Sequence, residues 1–126
     1  MSMRTPLSRI RGLGSAHHGT GHFWLQRLTA AANVFLLVIL TGIVVTLVGR
    51  THATVISTLS KPLVSVLFVA AIISVAIHMR IGMQVVIEDY VHTPFRKVVL
   101  LMLNTFFAWS VGLASVYAIL KISFGP

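Results

Sequence analysis

A histidine stands at position 78 inside a long apolar run, and the only two acidic residues of the chain, Glu88 and Asp89, follow near the end of that run. Tyr90 and a second histidine, His92, come directly after. An imidazole among aliphatic side chains is costly unless it packs against a polar partner, ligates a metal or moves charge. On a helix, Asp89 lies eleven residues beyond His78, about 16 Å along the axis and only ~20° round it. Tyr90 falls about 120° from His78, on a neighbouring face. A carboxylate beside a phenol at a helix end makes a second polar locus, separated from the first by about three turns. That layout suits redox chemistry better than simple anchoring.

The elements that must position these residues are three apolar segments: about Leu28–Val48, Leu63–Ile87 and Val98–Leu120. Each approaches or exceeds the ~20 residues a helix needs to cross a bilayer. Among the 126 residues 56% are hydrophobic, and the mean hydropathy of +0.93 is outside the range of a soluble domain. The expected fold is an all-α membrane protein with three transmembrane helices. Residues 1–27 form a basic N-terminal tail and interfacial segment, and residues 28–126 the three-helix anchor domain.

Breaks between the spans are clear. Gly49-Arg50-Thr51-His52 ends the first, and Lys61-Pro62 opens the second, proline being tolerated in a first helical turn. Thr93-Pro94 stops the second, because a residue before proline is pushed out of the α region.

The chain has no cysteine. This excludes disulfides, thiolate zinc sites and iron–sulfur clusters ligated by the chain itself, so any such cluster sits on a partner. The net charge of +8 would suggest nucleic acid in a soluble protein, but no RNA-binding motif accompanies it. In a membrane chain, basic residues flank the spans and set their orientation. The tail lacks an early apolar stretch, which argues against a cleaved signal peptide. Its Arg- and Ser-rich, acid-free composition also imitates a mitochondrial transit peptide.

Arg4, Arg9, Arg11 and Arg27 with Arg96 and Lys97 place six cations on one side; Arg50, Lys61 and Lys121 place three on the other. The positive-inside rule then puts the N-terminus and the Asp89-Tyr90 end in the cytoplasm. The expected location is a bacterial inner membrane, the mitochondrial inner membrane being the less favoured choice. Phe23 and Trp24 would join an aromatic belt at the cytoplasmic interface.

His78 lies within about one turn of the middle of its span, with Ala71 and Ser74 before it and Gly82 after it on the same face. Small residues at such spacing let two helices approach closely, with the histidine hydrogen-bonding across the contact. The same cleared space would let the imidazole ligate haem iron with the flat macrocycle packed nearby. The pattern leaves both readings standing. A haem with two histidine ligands could not take both from these spans: the first and third contain none, His52 faces the far side, and His17, His18, His22 and His92 lie at or beyond the near surface.

Glu88 and Asp89 read as a solvated helix end and Tyr90 as an interfacial anchor. A helix C-terminus favours cations, however, so carboxylates there call for compensation. Arg96 and Lys97 supply part of it, and an arginine on a partner is a natural further source. A phenol at the boundary could equally donate to a quinone carbonyl whose isoprenoid tail stays in lipid.

His78, Gly82 four residues on, and Asp89-Tyr90 eleven and twelve on resemble the motif of the small cytochrome b membrane anchor of succinate dehydrogenase (respiratory complex II). The likeness extends through Gly82-Met83, Gln84-Val85 and Tyr90-Val91, and to Arg27, Thr29 and Ala30 at the entry to the first span. It implies that His78 is an axial ligand of a haem b shared with a second cytochrome b anchor subunit, against which the three helices pack. It implies that Tyr90 hydrogen-bonds ubiquinone, that Asp89 orients that site, and that Arg27 and His22 lie near the haem propionates. FAD and iron–sulfur clusters would be carried by two partners at the cytoplasmic face, a flavoprotein subunit and an iron–sulfur subunit. Succinate is oxidised there, and its electrons leave for the quinone. Arg80 departs from the family, in which an aromatic residue can stand there. About 200° from His78, it reads as a snorkelling cation or a pair for another chain.

Two rivals remain. A small transporter would need ionisable groups within its spans, whereas both carboxylates here lie at a helix end. A structural anchor without cofactor would share the fold and lack haem absorbance.

Overall fold

A computed structural model describes Pro6 and residues 19–125; Arg4, Arg9, Arg11, His17 and His18 lie outside the described residues. The chain runs through α1 (Gly19–Leu47), α2 (His52–Leu59), α3 (Pro62–Tyr90) and α4 (Pro94–Phe124). Three of these are long and apolar enough to cross a membrane, so the chain is a multi-pass membrane protein whose described residues form helices and short connections. At 29, 29 and 31 residues they measure roughly 43–46 Å, so their ends extend past a hydrocarbon layer of about 30 Å.

The ends form where local chemistry directs. Gly49, with φ of 76°, takes the left-handed conformation that closes α1 and that side chains with a Cβ resist. Pro62 and Pro94 occupy the first turns of α3 and α4, where a missing N–H costs nothing. Val91 leaves the helix at φ −101° and ψ 111°.

Two features differ from the sequence expectation. The helix α1 begins at Gly19, so residues 19–27 of the interfacial segment are helical and continuous with the first span. Hydropathy drops over GTGHFWLQR, yet backbone bonding continues through Trp, Leu, Gln and Arg, which helices accept at little cost. The short α2 was also unexpected, because eight residues are too few to show a period. Thr51 caps it, its hydroxyl accepting from the Thr54 N–H at 3.3 Å.

The middle element is α3, with α1 packed on one side and α4 on the other. Contacts from the end of α2 and the start of α3 secure the far end: Ser60 Oγ lies 3.0 Å from the Ile122 carbonyl oxygen, and the Ser65 and Ser123 hydroxyls pair at 3.1 Å. Buried positions are few, and beside Leu40, Ala71, Ile81, Ile87 and Ala108 they include three hydroxyl side chains. Thr29, Ser65 and Ser74 are buried, while Phe35, Val38, Phe106 and Leu113 are exposed. Lipid tails are as apolar as leucine, so small and hydroxyl side chains hold the helices together instead.

Candidate functional site

The seam between α1 and α3 collects most of the chemistry. Ala71, Ser74, His78 and Gly82 line the α3 face that meets α1. The Ser74 hydroxyl donates to the Thr29 carbonyl at 3.3 Å. A Cβ added at Gly82 would stand 3.4 Å from the Gln26 side-chain nitrogen, so the two helices pack closely here with little room beyond a methyl group. Opposite His78, Thr29 is 7% exposed, and its Oγ1 lies 3.2 Å from His78 Nδ1. That hydroxyl also donates to the Leu25 carbonyl at 2.8 Å and approaches the Gln26 carbonyl at 3.1 Å.

The close-packing reading of the small residues is therefore realised, including a hydrogen bond across the contact. It engages one nitrogen of the ring. His78 Nε2 has no hydrogen-bond partner among the described residues.

Gln26, Thr29 and Asn33, three and four residues apart, form a polar stripe on α1. The oxygens Gln26 Oε1 and Asn33 Oδ1 are buried without partners among the described residues. The sequence pattern shows Thr29 only as part of a motif and leaves Gln26 and Asn33 unmarked. Their helical spacing within an apolar run was the available signal.

The other locus is open. Tyr90 is 78% exposed, and Glu88 and Asp89 are exposed beside it. Gln84 donates to Glu88 at 2.9 Å, one turn along the same helix, which leaves Asp89 as the carboxylate without a hydrogen bond among the described residues. The two loci thus stay apart, joined only by the length of α3.

At the α1 end, His22 lies on the face of Thr29, about 20° away after two turns, and is exposed. Arg27 lies about 200° from Thr29; it too is exposed, its guanidinium 4.5 Å from the centre of the Phe23 ring. Arg80 points to the opposite side of α3 from His78. It borders an apolar groove of about 500 Å³ with Ile77, Trp109 and Leu113, and its backbone carbonyl accepts from Asn104 at 2.9 Å. No group of three or more His, Asp or Glu side chains converges on a common point among the described residues.

The family model for the succinate dehydrogenase/fumarate reductase transmembrane subunit matches residues 1–119. A succinate dehydrogenase hydrophobic membrane anchor subunit from Paracoccus denitrificans is 28% identical over 121 residues, covering 96% of this chain and 93% of the relative. Another from Rickettsia bellii is 33% identical over 90 residues, 70% of each chain. With nearly its whole length matched, the chain belongs to the family of succinate dehydrogenase/fumarate reductase transmembrane subunits.

Proposed function

We propose that this membrane anchor helps to hold a haem b through His78 and ubiquinone through Tyr90 and Asp89, in a succinate:quinone oxidoreductase of a bacterial inner membrane. The observation that carries the reading is the state of His78: one ring nitrogen is engaged by Thr29 at 3.2 Å, and the other is free of any protein partner among the described residues. That is the donor set an axial iron ligand needs. The residues present therefore fit the group, with the second ligand coming from the partner anchor subunit.

Haem, when bound, supplies a one-electron carrier within the membrane. This chain's residues do the rest. Thr29 and Ser74 hold α1 and α3 together around the imidazole, and the apolar flank excludes water from it. At the helix end Tyr90 donates a hydrogen bond to a quinone carbonyl. Asp89 orients that pocket by pairing with an arginine of the partner, which also offsets the carboxylate at a helix C-terminus. The isoprenoid tail lies along the lipid-facing side chains. Protons for quinol arrive from water at the exposed end. His22 approaches the haem propionates along the seam face, and Arg27 does so from the outer face of α1, by leaving Phe23.

The cation distribution orients the N-terminus and the Tyr90 end toward the cytoplasm, where the flavoprotein and iron–sulfur subunits dock and succinate is oxidised. Purification of the tagged chain with its natural partners, followed by a reduced-minus-oxidised spectrum, tests the proposal. We expect co-purifying flavoprotein, iron–sulfur and second anchor subunits with b-type haem absorbance. A complex with succinate:quinone activity but no b-type haem would refute the haem assignment.

A further inference from the structure

The Thr29 hydroxyl owns a single proton. Its shortest contact, 2.8 Å, is to the Leu25 carbonyl, which can only accept, and the Gln26 carbonyl at 3.1 Å lies on the same side. This back-bond to the preceding turn is the usual resting place of a threonine proton on a helix. With the proton committed there, Thr29 Oγ1 meets His78 Nδ1 at 3.2 Å as an acceptor, so Nδ1 carries the ring hydrogen. The lone pair of the imidazole then resides on Nε2.

We infer that Thr29 is the positioning residue of His78: it fixes the Nδ1–H tautomer and the ring orientation before any metal arrives, and presents Nε2 for ligation. The inference rests on the proposed role of His78 as a haem ligand and adds to it a residue on a different helix. Two observations support a built arrangement over a chance contact. Thr29 is itself pinned, because its carbonyl accepts from Ser74 at 3.3 Å, so both its hydroxyl and its backbone tie α1 to the α3 turn bearing His78. Thr29 is also buried, at 7% exposure, which limits the water that can compete for its hydroxyl. An acceptor behind the ring makes the ligand a stronger electron donor and favours the oxidised metal.

The test compares Thr29→Val, which keeps the shape and loses the acceptor, with Thr29→Ser, which keeps it, in the assembled complex. For Thr29→Val we expect haem retention weakened by about 10- to 100-fold, the range for loss of such a supporting bond, and a higher haem midpoint potential in redox titration. Thr29→Ser should restore both. If Thr29→Val lowers the yield of complex, the midpoint potential of the assembled fraction still decides, since a role confined to packing leaves it unmoved. A Thr29→Val complex with wild-type retention and potential overturns the inference while leaving His78 as a ligand, provided His78→Ala loses the haem. An unchanged spectrum in His78→Ala overturns the ligand reading, and the Thr29 role with it.

Discussion

The seam around His78 and the open end at Asp89-Tyr90 share one helix and differ in who satisfies their polar groups. In the seam, Thr29 and Ser74 meet partners supplied by this chain at 3.2 and 3.3 Å. At the end, Tyr90 is 78% exposed and Asp89 has no hydrogen bond among the described residues. The difference follows from solvent. Within hydrocarbon an unsatisfied polar group costs several kcal/mol, so this chain itself supplies partners to the Thr29 and Ser74 hydroxyls, although Gln26 Oε1 and Asn33 Oδ1 on the same stripe have none among the described residues. At an exposed helix end, water can cover the same deficit. The seam is thus pre-organised around Thr29 and Ser74, while the end stays open.

The contrast has measurable consequences. The largest is expected for His78→Ala: the b-type haem spectrum of the co-expressed complex should be lost or strongly reduced, with reduced-minus-oxidised difference spectroscopy as the check. Next comes Gly82→Leu. Since even a Cβ would stand 3.4 Å from Gln26, a branched side chain should force α1 and α3 apart at a cost of about 1–3 kcal/mol. Thermal unfolding should then show reduced stability with haem lost early, and a variant of unchanged stability would show that the seam yields more easily than its packing implies.

Tyr90→Phe should behave differently. Removing the hydrogen bond proposed between Tyr90 and quinone should lower quinone reductase activity by about 10-fold, while succinate oxidation with an artificial acceptor and the haem spectrum persist. Equal loss of both activities would point to misassembly and dissolve the distinction between the two loci. The smallest effect is expected for Ser74→Ala, which forfeits a 3.3 Å bond worth about 0.6 kcal/mol in a membrane interior. Its thermal midpoint should fall slightly, with the haem spectrum retained.

How far the sequence could be read differed between the two loci. The helix end was legible because acids, phenol and proline are adjacent in the chain and need no tertiary contact to be grouped. His78 was visible as a polar residue in an apolar span, and Ala71, Ser74 and Gly82 as its small companions. Its partner was not. Thr29 is forty-nine positions away, and one threonine in an apolar helix looks like any other until the facing helix is placed. The polar stripe of Gln26, Thr29 and Asn33 has helical spacing, yet spacing names a face and leaves its neighbour open. The start of α1 and the whole of α2 were missed for a local reason: glycines and polar residues lower hydropathy without preventing helical bonding.

The number of spans, their boundaries at Gly49, Pro62 and Pro94, and the separation of His78 from Asp89 by about 16 Å were determined by the sequence, because hydropathy, proline geometry and helical rise act along the chain. Tertiary structure decided that α3 is the middle element, that His78 faces α1, and that its Nδ1 rather than Nε2 meets a hydroxyl. Those outcomes depend on which helix lies against which. That choice is settled by close contact at Gly82 and Ser74 and by hydrogen bonds between residues far apart in the chain.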